Sequence, residues 1–158
     1  MKSFLFAAAF ALLLTPAVTV AQTKTSTYKG IPSMVWPKLY DIKFLKTKDA
    51  AGEEYDKPVF SAATKAIDKK NISLPGYIIP FENGMKSSHF MLSSLPVNAC
   101  FFCGVGGPET VIEVFTKTPV TYTEKPVEFR GILTLNDKDP DKMIYILEGA
   151  EFLGEAEF

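Results

Sequence analysis

Short segments in which apolar and polar residues alternate are the feature that most limits how this chain can fold. Alternation places every second side chain on one face, so each such segment is predicted to be a half-buried strand. The segments predicted to be strands are 40–44, 72–81, 88–94, 127–135 and 143–147, together with 110–117, which its apolar residues predict to be a buried strand. Pro75 and Gly76 interrupt the strand at 72–81. Turn residues separate the predicted strands, and no strand–helix–strand rhythm is present. The chain is therefore predicted to be all-β, a small OB-like five-stranded barrel with one short helix.

The connections between these strands also carry predictions. Pro58 suits the first turn of a helix, and an apolar face follows it, so the one helix is predicted from Pro58 to Lys70. The charged segment 46–57 is predicted to be a loop, and residues 148–158 an acidic tail. Residues 82–84, Glu-Asn-Gly, are typical of a hairpin turn because Asn-Gly tolerates positive φ.

Four single residues add detail to the barrel. Pro75 and Pro80 are predicted to confine their strand to an edge or a bulge, because proline cannot donate to a strand ladder. Gly131 is predicted to mark a bend in its strand. Trp36 has the character of an anchor that closes the core from outside, but plain packing within the core is the favoured interpretation of such a large aromatic side chain.

The N-terminus has the pattern of a secretory signal peptide. A positive start precedes an apolar run from Phe4 to Leu14, and small residues before Gln22 offer a cleavage site. The predicted division is a signal peptide at 1–21, a flexible leader at 22–35 and the barrel domain at 36–158. The mature protein is expected to be periplasmic or secreted. It is not expected to be transmembrane after signal cleavage, because no later stretch is apolar enough to span a bilayer.

The charge balance bears on the partners. The net charge is −1, and no basic excess is present to neutralise phosphates. Nucleic acid is therefore not expected as a partner.

Both cysteines of the chain lie in one Cys-Phe-Phe-Cys-Gly turn. Cys100 and Cys103 at this spacing can direct two sulfurs at one point, which suits a tetrahedral metal ion. Gly104 can adopt a left-handed conformation and turn amides toward the sulfurs. His89 is the only histidine and the candidate third ligand. Met91 offers a soft thioether, and Glu109 and Glu113 could add oxygen. The candidate metal ligands are therefore Cys100, Cys103 and His89, and the candidate ions are zinc and copper(I).

Other chemistries of the same pair remain open. Thiols outside the cytosol tend to oxidise, so an inert Cys100–Cys103 disulfide in a protein-interaction module is the main alternative. Thiol–disulfide redox chemistry is a further one, although a thioredoxin-like motif would open a helix and this turn precedes a strand. A calcium loop over 137–148 is rejected, because Lys142 stands where that loop needs glycine.

Several segments together resemble the domain of unknown function 3299 family of small exported bacterial proteins. The Gly-Tyr-x-x-Pro strand and the cysteine turn are the most specific parts of the resemblance. The residues that carry it are Trp36, Leu39, 75–80, Phe90, Leu92, 100–104, Pro108, Glu109, Val111, 127–133, Tyr145 and Leu147.

The resemblance implies an OB-like five-stranded barrel, a periplasmic or lipoprotein setting and no established enzymatic activity. It also implies a link to transition metals, since some members occur with export and metal-homeostasis genes. Many members carry Cys-x-His followed by a proline run at this turn. This chain departs from that pattern, because Phe102 stands in the place of the histidine and Cys103 follows it.

These observations together favour a non-enzymatic exported binding protein that holds zinc or copper through the Cys-x-x-Cys-Gly turn. A metal ion and a periplasmic or membrane transport partner are the expected partners. An exposed turn would allow such a partner to receive the ion.

Overall fold

The computed structural model describes residues 28–48, 52–81, 85–139 and 142–158. Within these ranges the chain is mostly β, with two four-residue helices, and its five central strands form a closed barrel. The predicted all-β, five-stranded barrel is therefore confirmed. The elements are α1 (Trp36–Leu39), β1 (Ile42–Lys48), β2 (Glu54–Phe60), α2 (Ala62–Lys65), β3 (Asn71–Pro80), β4 (Lys86–Ser93), β5 (Val111–Thr121), β6 (Val127–Leu135) and β7 (Tyr145–Glu155).

The order of strands around the barrel is β3-β4-β5-β7-β6, and β6 pairs back with β3. All neighbours are antiparallel except β5 and β7, which are parallel. One parallel contact in a closed five-stranded sheet with a non-sequential strand order is the arrangement of an OB-like barrel.

Strand β3 changes partner halfway along its length. Its first six residues, 71–76, pair with β6, and 77–80 pair with β4. Each half of β3 thus pairs in register with one neighbouring strand. Pro75 and Pro80 therefore lie in a closed barrel rather than at the edge of a sheet. Gly131 lies at a shift of register between β6 and β7, which confirms the predicted irregularity there.

The segment from 42 to 60 differs most from the prediction. Instead of a loop and the start of a helix, β1 and β2 form a separate antiparallel ribbon, with Pro58 opposite Phe44. Two cross-strand ion pairs, Lys46–Asp56 and Lys48–Glu54, lie on its exposed surface. The charges that suggested a loop thus belong to a two-stranded ribbon that faces solvent.

The predicted helix at 58–70 is wrong in its extent. Only α2 is helical, and it begins after Ser61, whose hydroxyl accepts the Thr64 N–H at 3.1 Å. The helix ends at Lys65, and Lys69, with a φ of +56°, lies in the turn between α2 and β3. The serine cap therefore sets the start of a much shorter helix.

The acidic tail predicted at 148–158 is also wrong. Most of it belongs to β7, which pairs with both β5 and β6. Ala150 is buried in the barrel while Glu148 and Glu151 are exposed. The acidic residues occupy the outer face of a barrel strand, which explains why the composition suggested a solvated tail.

One end of the barrel is closed by α1. Trp36 and Leu39 are fully buried, and the Trp36 indole donates to the Pro75 carbonyl at 2.7 Å. Tyr145 donates through its hydroxyl to the Leu39 carbonyl at 2.6 Å. Trp36 is therefore a fully buried residue of the core at this end of the barrel, in agreement with the favoured prediction of core packing.

Part of the predicted leader at 22–35 packs against the barrel. Ile31 is buried, and its N–H donates to the Ser94 carbonyl at 2.9 Å. Tyr28 packs edge-on against Tyr40 with ring centroids 4.7 Å apart. The signal peptide predicted at 1–21 and the hairpin turn predicted at 82–84 lie outside the described residues. Across the described ranges, none of the helices has the length and apolar character needed to cross a membrane.

Candidate thiol site

The cysteines lie in the long connection between β4 and β5. This connection, 94–110, contains three single-turn 3₁₀ helices, Val97–Ala99, Phe101–Cys103 and Pro108–Thr110. Its base is closed by a hydrogen bond from the Ser94 N–H to the Thr110 carbonyl, 2.9 Å long. The turn that carries both thiols is thus held at its two ends by adjacent barrel strands.

The backbone of the turn brings the two sulfurs together. The Cys103 N–H donates to the Cys100 carbonyl at 3.1 Å, and the Gly104 N–H donates to the Phe101 carbonyl at 3.0 Å. Gly104 has a φ of +77°, the left-handed conformation that its position after the second cysteine predicts. A residue with a side chain would be strained there, so glycine suits this end of the turn.

Cys100 and Cys103 are free thiols whose sulfur atoms lie 3.8 Å apart. Two thiolates bound to one tetrahedral zinc ion, each at about 2.3 Å, are also about 3.8 Å apart. Cys100 is 1% exposed and Cys103 lies at the surface. Access to the pair is therefore from the side of Cys103.

The thiol of Cys103 has two hydrogen-bond partners. The Cys103 thiol donates to the Val97 carbonyl at 2.9 Å and accepts from Cys100. The interaction with Cys100, more than desolvation, raises the pKa of Cys103 above its usual value. A nucleophilic or redox-active cysteine needs a lowered pKa, so this environment disfavours that chemistry.

His89 lies elsewhere on the barrel. It is in β4 opposite Phe115, four residues before the Ser93–Val111 pair from which the cysteine connection starts. Four strand residues span about 13 Å. Within the described ranges, no three His, Cys, Asp or Glu side chains converge on a point where they could hold a metal ion.

Glu113 is the partner that sequence reasoning did not assign to His89. The His89 Nε2 lies 2.8 Å from Glu113 Oε1, and the imidazole stacks on Phe115 with centroids 4.3 Å apart. Glu113 is 7% exposed and also accepts the Met143 N–H at 3.3 Å. The contact is diagonal across β4 and β5, so it depends on a strand register that residue spacing alone does not provide.

Met91 does not extend the thiol site either. It is fully buried and pairs across the strands with Glu113. Of the predicted ligand set, the structure brings together Cys100 and Cys103 and places His89 in a separate pair with Glu113.

The Glu113 contacts give a testable expectation. Glu113→Ala removes the acceptor of the partly buried Met143 N–H and the partner of His89, so we expect it to lower the free energy of unfolding by about 1–3 kcal/mol. Glu151→Ala, on the exposed outer face of β7, is the control and should change stability by less than about 0.5 kcal/mol. Urea denaturation measures both variants, and equal midpoints would show that Glu113 does not stabilise this face.

No family model, curated protein or solved structure matches the chain. The resemblance to the domain of unknown function 3299 family therefore stays a prediction.

Proposed function

We propose that this is an exported, non-enzymatic protein that binds a soft transition-metal ion, zinc or copper(I), through Cys100 and Cys103. The observation that supports the proposal most is the 3.8 Å separation of the two free sulfurs at an accessible turn. Thiolates select zinc and copper(I) over harder divalent ions. The spacing of the thiols already suits an ion between them, but both thiols must lose their protons to bind it. The raised pKa of Cys103 opposes this loss in the free protein, and a bound ion drives it by deprotonating a coordinating thiol.

The proposed site has two protein donors, because His89 is held by Glu113 away from the turn. Two thiolates leave zinc with open positions, and an open site exchanges ligands more readily than a closed four-ligand one. This arrangement suits a protein that passes its ion to another molecule. A periplasmic or membrane transport partner is the recipient we propose, in keeping with the signal-peptide pattern at 1–21 and with the family resemblance.

Metal loading of the reduced protein tests this function. Wild type, treated with reductant and then dialysed against zinc or copper(I), should retain the ion. Cys103→Ser, which changes an exposed residue, should lose most of it. His89→Ala is the matched control and should load like wild type, because His89 lies outside the thiol pair. Negligible loading of wild type with both ions, measured by elemental analysis, would reject the function.

An interaction module with an inert disulfide is the second candidate. The two sulfurs are close enough for a small rearrangement to join them, and export favours oxidation. Redox cycling is less favoured, because the pKa of Cys103 is raised. The mass of the purified protein with and without reductant separates the candidates: a pair that resists mild reductant favours the disulfide, and free thiols favour the metal site.

A further inference from the structure

The thiol pair supplies only half of the ligands that a closed zinc site requires. Structural zinc sites are four-coordinate, and four cysteines are a common set. Within the described part of the chain, no third His, Cys, Asp or Glu joins Cys100 and Cys103. A closed site therefore needs two donors from another molecule.

The surface around the accessible thiol is apolar. Val97, Phe102 and Val105, called the apolar rim below, lie in the same connection as Cys103. Their exposed fractions are 41%, 54% and 71%. Three exposed apolar side chains beside one surface thiol form a patch of the kind that marks a contact with another protein.

Most of the same connection is uncharged. Residues 94–108 contain no Asp, Glu, Lys, Arg or His, and Glu109 follows them at the end next to β5. A strongly charged partner would find no opposite charge among residues 94–108. Two copies of this uncharged segment can approach each other without charge repulsion, and apolar contact then favours their association.

We infer that zinc joins two copies of this chain, with Cys100 and Cys103 of each copy as its four ligands and the two apolar rims packed against each other. The inference rests on the proposed metal-binding function: the open positions belong to the monomer, and the dimer closes them. The interface is isologous, because each copy presents the same patch and the same ligand pair. Four thiols lose their protons to solvent as four zinc–sulfur bonds form, and no electrons are transferred.

The exposure of the two cysteines agrees with an ion that is shared between two copies. Cys100 is covered and Cys103 is at the surface, so the ion enters from the side of Cys103. The apolar rim belongs to the same connection as Cys103. A second copy that supplies the two remaining ligands of the ion therefore also covers the side chains of the apolar rim.

Sedimentation velocity of the reduced protein, with zinc titrated in, tests the inference. Wild type should double its sedimenting mass at one zinc ion per two chains and return to monomer when the zinc is chelated. The double variant Phe102→Glu/Val105→Glu keeps both thiols but places charge on the apolar rim. It should remain monomeric, while elemental analysis still finds zinc bound.

The other outcomes separate this inference from the proposed function. Wild type that binds one zinc ion per chain and stays monomeric overturns the dimer and leaves metal binding intact. Wild type that binds neither zinc nor copper(I) overturns both. A dimer that persists in chelator, or in Cys103→Ser, overturns the zinc bridge, because such a dimer does not need the thiols.

Discussion

Trp36→Ala is expected to lower the free energy of unfolding by about 3–5 kcal/mol, the cost of emptying a large buried aromatic site. Trp36 is 0% exposed and closes one end of the barrel. Its indole N–H also donates to the Pro75 carbonyl in β3, at 2.7 Å. The substitution leaves a cavity and removes the partner of a buried carbonyl, so both effects act in the same direction.

Urea denaturation measures this effect, with Met34→Ala as the control. Met34 lies two residues away and is 86% exposed, so its truncation should change stability by less than about 0.5 kcal/mol. Trp36→Phe keeps most of the apolar volume but loses the indole donor. Its free energy of unfolding should therefore lie between those of Trp36→Ala and Met34→Ala. It also provides a measurement if the alanine variant does not fold. Equal midpoints for Trp36→Ala and Met34→Ala would contradict the role of Trp36 as the closing residue.

Gly76→Ala is expected to destabilise the barrel by about 1–3 kcal/mol, through overpacking rather than lost contacts. A Cβ atom at Gly76 would lie 2.6 Å from Leu92 Cγ and 2.7 Å from the Ser93 carbonyl oxygen. Gly76 is where β3 passes from β6 to β4, so the backbone there has little room to move. The strain would act on the end of β4, directly before the cysteine connection.

Lys86→Ala at the exposed start of β4 is the control for this substitution, with an expected change below about 0.5 kcal/mol. Thermal and urea unfolding of both variants measure the difference. Because the clash involves a backbone oxygen, Gly76→Ser should be no better tolerated than Gly76→Ala. A Gly76→Ala variant as stable as Lys86→Ala would show that β3 and β4 separate at little cost.

The barrel could be predicted from sequence because its strands are short apolar segments, either alternating as in β6 or continuously buried at one end as in β4 and β5. In β6, Val127, Phe129 and Leu133 are all fully buried, as the alternation requires. The strand predicted at 40–44 covers only the start of β1. The rest of β1 and all of β2 could not be predicted, because this ribbon lies outside the barrel and its side chains are largely exposed. Cross-strand ion pairs such as Lys46–Asp56 identify this ribbon, and they depend on the register between two segments of the chain.

The thiol site shows the same difference between features set by local sequence and features set by strand register. The proximity of Cys100 and Cys103 could be predicted because it is set by three residues of local backbone and by Gly104. The position of His89 could not, because its contact with Glu113 depends on how β4 and β5 align. The difference in exposure between the two cysteines also depends on tertiary packing, which spacing does not encode.

X-ray absorption spectroscopy at the metal edge of the reduced, zinc-loaded protein tests the central claim most directly, because it identifies the atoms bound to the ion. The account predicts sulfur neighbours at about 2.3 Å in wild type, and their loss in Cys103→Ser. A first shell of nitrogen and oxygen alone, at about 2.0–2.2 Å and unchanged by Cys103→Ser, would contradict it.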